Sequence, residues 1–139
     1  MDKNFQIEVE NSIKENQLIC SFFKESEAII LLDLISEKFS LDFNKAFLWE
    51  DDRIELVSYY ENNWDNFSFQ LSSIIAQLSE NIFLVLTDEK YPFPIIKIKN
   101  AHLKILLADT GYFEYFITDE NFKQLIFDTH HNKLLKLSV

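Results

Sequence analysis

The apolar run at residues 82–86, Ile-Phe-Leu-Val-Leu, constrains this chain more than any other stretch because it leaves no polar face. At five residues between polar neighbours, it reads as a strand covered on both sides, central in its sheet. The segments around it supply the partners. Residues 95–99, Ile-Ile-Lys-Ile-Lys, read as a strand behind a loop at 88–94 that holds Pro92 and Pro94. Residues 112–117, 122–127 and 134–137 read as an antiparallel meander, with turns at 118–121 and 130–132. Residues 101–108 make a short helix that closes near Gly111.

The first half is more helical. Residues 3–18 carry two patterns. Phe5, Ile7 and Val9 alternate as in a strand, while Phe5, Val9 and Ile13 fit one face of a helix. The Glu, Lys and Gln background favours helix. Residues 25–39 repeat Ala28, Leu31, Leu32, Ile35 and Phe39 at helical spacing. Glu25 and Glu27 fall in the first turn and Lys38 in the last, where they suit the helix dipole. Residues 53–60 alternate as a strand. Residues 67–78 form a second clear helix, with Asn66 or Asp65 available as N-cap. That helix lies between the first two expected strands, so a parallel crossover is open and the sheet can be mixed.

The expected fold is therefore α+β. It is one domain over residues 1–139, with a helical part at 1–45 and a sheet-rich part at 46–139. The N-terminal helices pack on a mostly antiparallel sheet of five to six strands. A chain of this length buries about 68% of its unfolded surface, enough for a sizeable core. One glycine, two prolines and 14 phenylalanines mean few tight glycine turns, and they exclude the glycine-rich loops that cradle phosphates.

Charge is distributed unevenly. Residues 1–66 hold 15 acidic side chains against 6 basic ones, and residues 67–139 hold 8 against 7, which together give the net −10. The densest stretch, 49–65, combines Glu50, Asp51, Asp52, Glu55, Glu61 and Asp65 with Trp49, Tyr59, Tyr60 and Trp64. Arg53 is its one cation. Carboxylates around large aromatics suit a face that steers a basic partner in and then anchors it. The other reading is a solvated strand whose aromatics point into the core. Tyr59 and Tyr60 fall on opposite faces of such a strand, so at most one of them is core. The candidate partner-binding residues are Trp49, Glu50, Asp51, Asp52, Glu55, Tyr59, Tyr60, Trp64 and Asp65.

Other constellations are weaker. His130 and His131 are adjacent and point apart, His102 is distant, and two ligands with Asp128 do not define a zinc site. Asp88 with Glu89, and Glu114 with Asp119, are carboxylate pairs without a nucleophile or a metal motif beside them. Ser72 and Ser73 read as helix surface. The single cysteine, Cys20, sits among Ile19, Phe22 and Phe23 as a buried thiol. No catalytic residue, metal or cofactor is called for. The acidic composition argues against binding a phosphate backbone, and no stretch reads as a membrane span or signal peptide. The chain reads as cytoplasmic.

The segments 83–92 (Phe-Leu-Val-Leu-Thr-Asp-Glu-Lys-Tyr-Pro), 112–119 (Tyr-Phe-Glu-Tyr-Phe-Ile-Thr-Asp) and 122–131, ending in His130-His131, resemble a group of small bacterial immunity proteins. Those proteins are encoded beside polymorphic toxins, including the toxins of contact-dependent growth inhibition. The resemblance covers about residues 80–132. It implies a non-enzymatic protein that binds and blocks a cognate toxin domain. A basic nuclease toxin fits the acidic composition. Two other readings stay open: a binding or scaffold domain that self-associates through its aromatics, and an acidic mimic of nucleic acid.

Overall fold

The computed structural model describes residues 3–44, 52–61, 63–110, 113–128 and 133–138. Its elements run α1 (Lys3–Glu15), β1 (Cys20–Phe22), α2 (Glu25–Phe39), β2 (Glu55–Tyr59), α3 (Trp64–Ile75), β3 (Asn81–Leu86) and β4 (Ile95–Lys99). A 3₁₀ turn (Asn100–His102) then leads into α4 (Leu103–Asp109), β5 (Tyr115–Asp119), β6 (Gln124–Asp128) and β7 (Lys133–Ser138). The strands form one seven-stranded sheet in the order β1-β4-β3-β5-β6-β7-β2, with every neighbouring pair antiparallel.

The fold is α+β, as expected, with two differences in the sheet. It has seven strands because Cys20–Phe22 adds an edge strand beside β4, too short to leave a periodic signal in sequence. Among the described residues it also contains no parallel pair. Antiparallel pairing across the sheet makes β2 and β3 point the same way, as the crossover through α3 suggested. However, β5, β6 and β7 lie between them, so the two never pair. Of the described elements, residues 1–45 hold α1 and α2, and residues 46–139 hold six of the seven strands. β1 interrupts the first part, and α3 and α4 belong to the second.

Helices cover both faces of the sheet. Val9 of α1, Leu71 and Ile75 of α3, and Leu103 and Leu106 of α4 pack on Ile82, Leu84, Ile96, Ile98, Ile117 and Ile126. On the opposite face Ala28, Leu32, Ile35 and Phe39 of α2 meet Phe83, Val85, Ile95, Phe116 and Phe127. The run at 82–86 is thus divided between two cores, with even-numbered residues in one and odd-numbered residues in the other. Burying each such side chain contributes roughly 1.5–3 kcal/mol. The two N-terminal helices lie on different faces, and α2 crosses between strands at opposite edges of the sheet.

Polar contacts fix the joints. Ser12 Oγ and Asn16 Nδ2 both donate to Asp109 Oδ2, tying α1 to the end of α4. The Ile19 amide donates to His102 Nδ1 at 3.0 Å, which fixes the approach to β1. Helix α3 starts earlier than its apolar spacing predicts. Asn63 is its N-cap and accepts from the Asn66 amide at 2.8 Å, so Asp65 and Asn66 lie inside the first turn. With glycine scarce, Gln17, Ser40 and Phe122 take positive φ near 52–53°.

Candidate functional site

The acidic-aromatic stretch enters the described structure at Asp52 and continues through β2 into the first turn of α3. Trp49, Glu50 and Asp51 lie outside the described residues. Strand β2 is an edge strand, paired on one side with β7. A bulge shapes it. Leu56 pairs with Leu135 and Ser58 with Leu134, which leaves Val57 as the extra residue. Without the bulge, Ile54 and Tyr60 would share a face. With it, Ile54 packs against the α2 core and Tyr60 against the α3 core.

The two tyrosines differ in burial. Tyr60 is half-buried. Its ring meets Phe67 at 4.8 Å and its hydroxyl donates to the buried Asp128 at 2.7 Å. The structure thus assigns this candidate a core role. Tyr59 points outward and is 63% exposed. Trp64 is 41% exposed and leans on Phe67 at 5.8 Å. Sequence reasoning missed Phe69, 66% exposed on α3, because its position fits an apolar helix that could equally have buried it. Leu56 and Val57 of β2 are also exposed. The sheet-edge strand and the helix after it thus each carry exposed large apolar side chains. The helix is held over the strand by a Ser58–Gln70 side-chain hydrogen bond.

Carboxylates lie in the same segments of chain. Asp52, Glu55, Glu61 and Asp65 are exposed. Two of them also serve the fold: Glu55 is in register with Lys136 across the β2–β7 ladder, and Asp65 complements the N-terminus of α3. Arg53 reaches from this stretch to the end of α2. Its two terminal nitrogens donate to Phe39 O at 2.8 Å and Ser40 O at 3.1 Å, so the guanidinium caps the carbonyl end of α2.

The other constellations do not assemble into chemistry. Glu114 and Asp119 flank opposite ends of β5 and do not form a pair. Asp119 Oδ1 accepts the Lys123 amide in the β5–β6 turn. Glu114 instead lies beside Asp88, whose Oδ2 accepts the Glu114 amide at 2.9 Å. Burial, and then the Asp88 charge, raise the Glu114 carboxyl above its ordinary value. Ser73 Oγ bonds back to Phe69 O on its own helix. His130 and His131 lie outside the described residues. Among the described residues no group of three His, Cys, Asp or Glu could hold a metal, and no helix is long and apolar enough to cross a membrane. Burial raises the Cys20 thiol to about 12.

No family model matches this chain, and neither a curated protein nor a solved structure matches it.

Proposed function

We propose that this protein is a bacterial immunity protein that neutralises a cognate toxin domain by stoichiometric binding, acting in the cytoplasm and without catalysis. The observation that carries the proposal is the exposure of Tyr59, Trp64 and Phe69 on β2 and α3, in the same short segment of chain as the exposed Asp52, Glu55, Glu61 and Asp65. Exposed aromatics of this size are the usual anchors of protein interfaces, and the carboxylates around them select a basic partner and speed its approach. A nuclease toxin has the required basic face, because its substrate is a polyanion. An acidic inhibitor seated there denies the substrate its groove. The resemblance of residues 80–132 to immunity proteins points the same way.

The test is co-expression with the C-terminal domain encoded by the adjacent upstream reading frame. The expected result is rescue of growth and a one-to-one complex that associates more slowly as salt rises, since exposed charges are screened beyond about 8 Å at physiological ionic strength. Toxicity without rescue, together with no complex, would reject the proposal.

A second reading has its own observation. Leu56, Val57 and Tyr59 are exposed on an edge strand, and an apolar edge is a template for pairing with another copy. Sizing the protein across a hundredfold range of concentration distinguishes the two. A concentration-dependent dimer supports self-association, and a monomer throughout supports the immunity reading.

A further inference from the structure

At the carbonyl end of α2, three chain segments border an open recess of about 230 Å³. One wall is α2, with Asp33 and Ser36. A second is the turn after α2, with Asp42 and Phe43. The third is Tyr91, in the loop between β3 and β4. The recess is smaller than the ~300–1,000 Å³ pockets that take cofactors or drug-sized ligands, so it fits an object the size of one side chain.

Its walls are held in place before any ligand arrives. The Phe43 ring lies 5.7 Å from Phe93 and stacks at 6.2 Å on the buried Phe116, which fixes it to the core. Tyr91 meets Phe43 at 6.3 Å and Phe93 at 5.4 Å. Ser36 Oγ donates to Leu41 O at 2.7 Å, and Asp42 Oδ1 accepts the Asn44 amide at 2.9 Å, so the turn is closed on itself. Asp33 differs from these groups: among the described residues it has neither a hydrogen bond nor an ion pair. Lys38, the nearest described cation in sequence to Asp33 and Asp42, forms an ion pair with neither. The phenol of Tyr91 feels the Asp33 charge, which adds to burial in raising its pKa.

An exposed carboxylate beside aromatic rings, with no ion pair among the described residues, is the chemistry that receives an organic cation, through a charge-assisted hydrogen bond and cation–π attraction. It does not suit a metal ion, because a hard cation wants about six oxygens and no group of three His, Cys, Asp or Glu stands together among the described residues. We infer that this recess is a socket for one lysine or arginine side chain of a protein partner, with Asp33 as counter-charge and the Phe43 and Tyr91 rings as walls. The partner half of this inference rests on the toxin-binding reading, and the cation half does not.

The experiment is a ¹H–¹⁵N NMR titration of the full chain with N-acetyl-lysine methylamide and N-acetyl-arginine methylamide. Sodium chloride and the uncharged N-acetyl-norleucine methylamide serve as controls. Saturable shifts are expected at Asp33, Ser36, residues 41–44 and Tyr91, with an affinity on the order of 10 mM for a single exposed ion pair with one ring contact. Asp33→Asn should weaken binding about tenfold or more. Glu25→Gln, which removes a charge at the other end of α2, should leave it unchanged. No saturable shift, equal shifts with the norleucine compound, or equal weakening by both substitutions would overturn the socket. Spermidine binding a hundredfold more tightly than either amino-acid compound would overturn its assignment to a protein side chain. The titration needs no toxin, so a failed socket leaves the rescue experiment standing, and a failed rescue leaves the socket tested.

Discussion

The Tyr60 hydroxyl donates to Asp128 Oδ1 at 2.7 Å, joining the end of the edge strand β2 to a carboxylate that is 2% exposed at the end of β6. Tyr115 donates to the other oxygen, Oδ2, at 3.1 Å. A buried carboxylate is stable only where donors meet it, so this pair of phenols holds β2 and the α3 surface against the sheet. Tyr60→Phe should destabilise the protein by about 1–3 kcal/mol, the cost of a buried acceptor losing a donor. Urea denaturation measures it. A double-mutant cycle with Asp128→Asn should show coupling between the two positions, and additive losses would show that they act separately.

Arg53 should matter to folding before it matters to binding. Its fork on Phe39 O and Ser40 O offsets the partial negative charge at the end of α2. Arg53→Ala should lower stability by about 1–2 kcal/mol, and Arg53→Lys should recover only part of this because an ammonium cannot span both carbonyls in one plane. Full recovery by lysine would show that charge alone suffices.

Ser40 caps α2 with φ 52° and ψ 49°, a left-handed conformation that favours glycine. The contacts that Ser40 makes there use its backbone: its amide donates to Glu37 O and its carbonyl accepts from Arg53. Ser40→Gly should therefore stabilise the chain by about 0.5–1 kcal/mol, the relief of left-handed strain less the added freedom of the unfolded chain. Ser40→Val should do the reverse. Thermal melts of the two variants provide the comparison.

Cys20 should resist alkylation. With its thiol raised to about 12 by burial, the thiolate is scarce at pH 8, and iodoacetamide should modify the native protein far more slowly than the protein in urea. The same shift makes a pH prediction. An unfolded cysteine ionises near 8.5, so the neutral thiol's contribution to stability is fully present below about pH 8.5 and falls as pH rises toward 12. Cys20→Ala should remove that part of the alkaline loss. An identical alkaline profile would show that other groups cause it.

If the β2–α3 surface meets a basic partner, Tyr59→Ala, Trp64→Ala and Phe69→Ala should each weaken the complex by about 1–4 kcal/mol with little effect on the free protein's stability. Asp52→Lys with Asp65→Lys should slow association and flatten its dependence on salt. Calorimetry and stopped-flow association measure the two effects. Tyr60→Phe provides the contrast, acting on stability first.

Several elements could be read from local pattern. The α2 helix, the central strand at 82–86 and the strand Ile95–Lys99 stand where apolar spacing put them, because burial repeats at each element's own period. The acidic excess in the first half and the candidate aromatics could also be read from the chain. Other features depended on contacts distant in sequence. Strand β1 exists because Cys20–Phe22 finds Ile96–Ile98 across the sheet. The register shift at Val57, which no alternation pattern records, brings the half-buried Tyr60 to the α3 core while Ile54 packs in the α2 core. The recess beside Asp33 needs Tyr91, 58 positions further along the chain, to close it. Sequence alone determined which residues would be buried wherever one segment's periodicity sufficed. Tertiary structure decided which aromatics and carboxylates share a surface, because that follows from strand order and register rather than from any local preference.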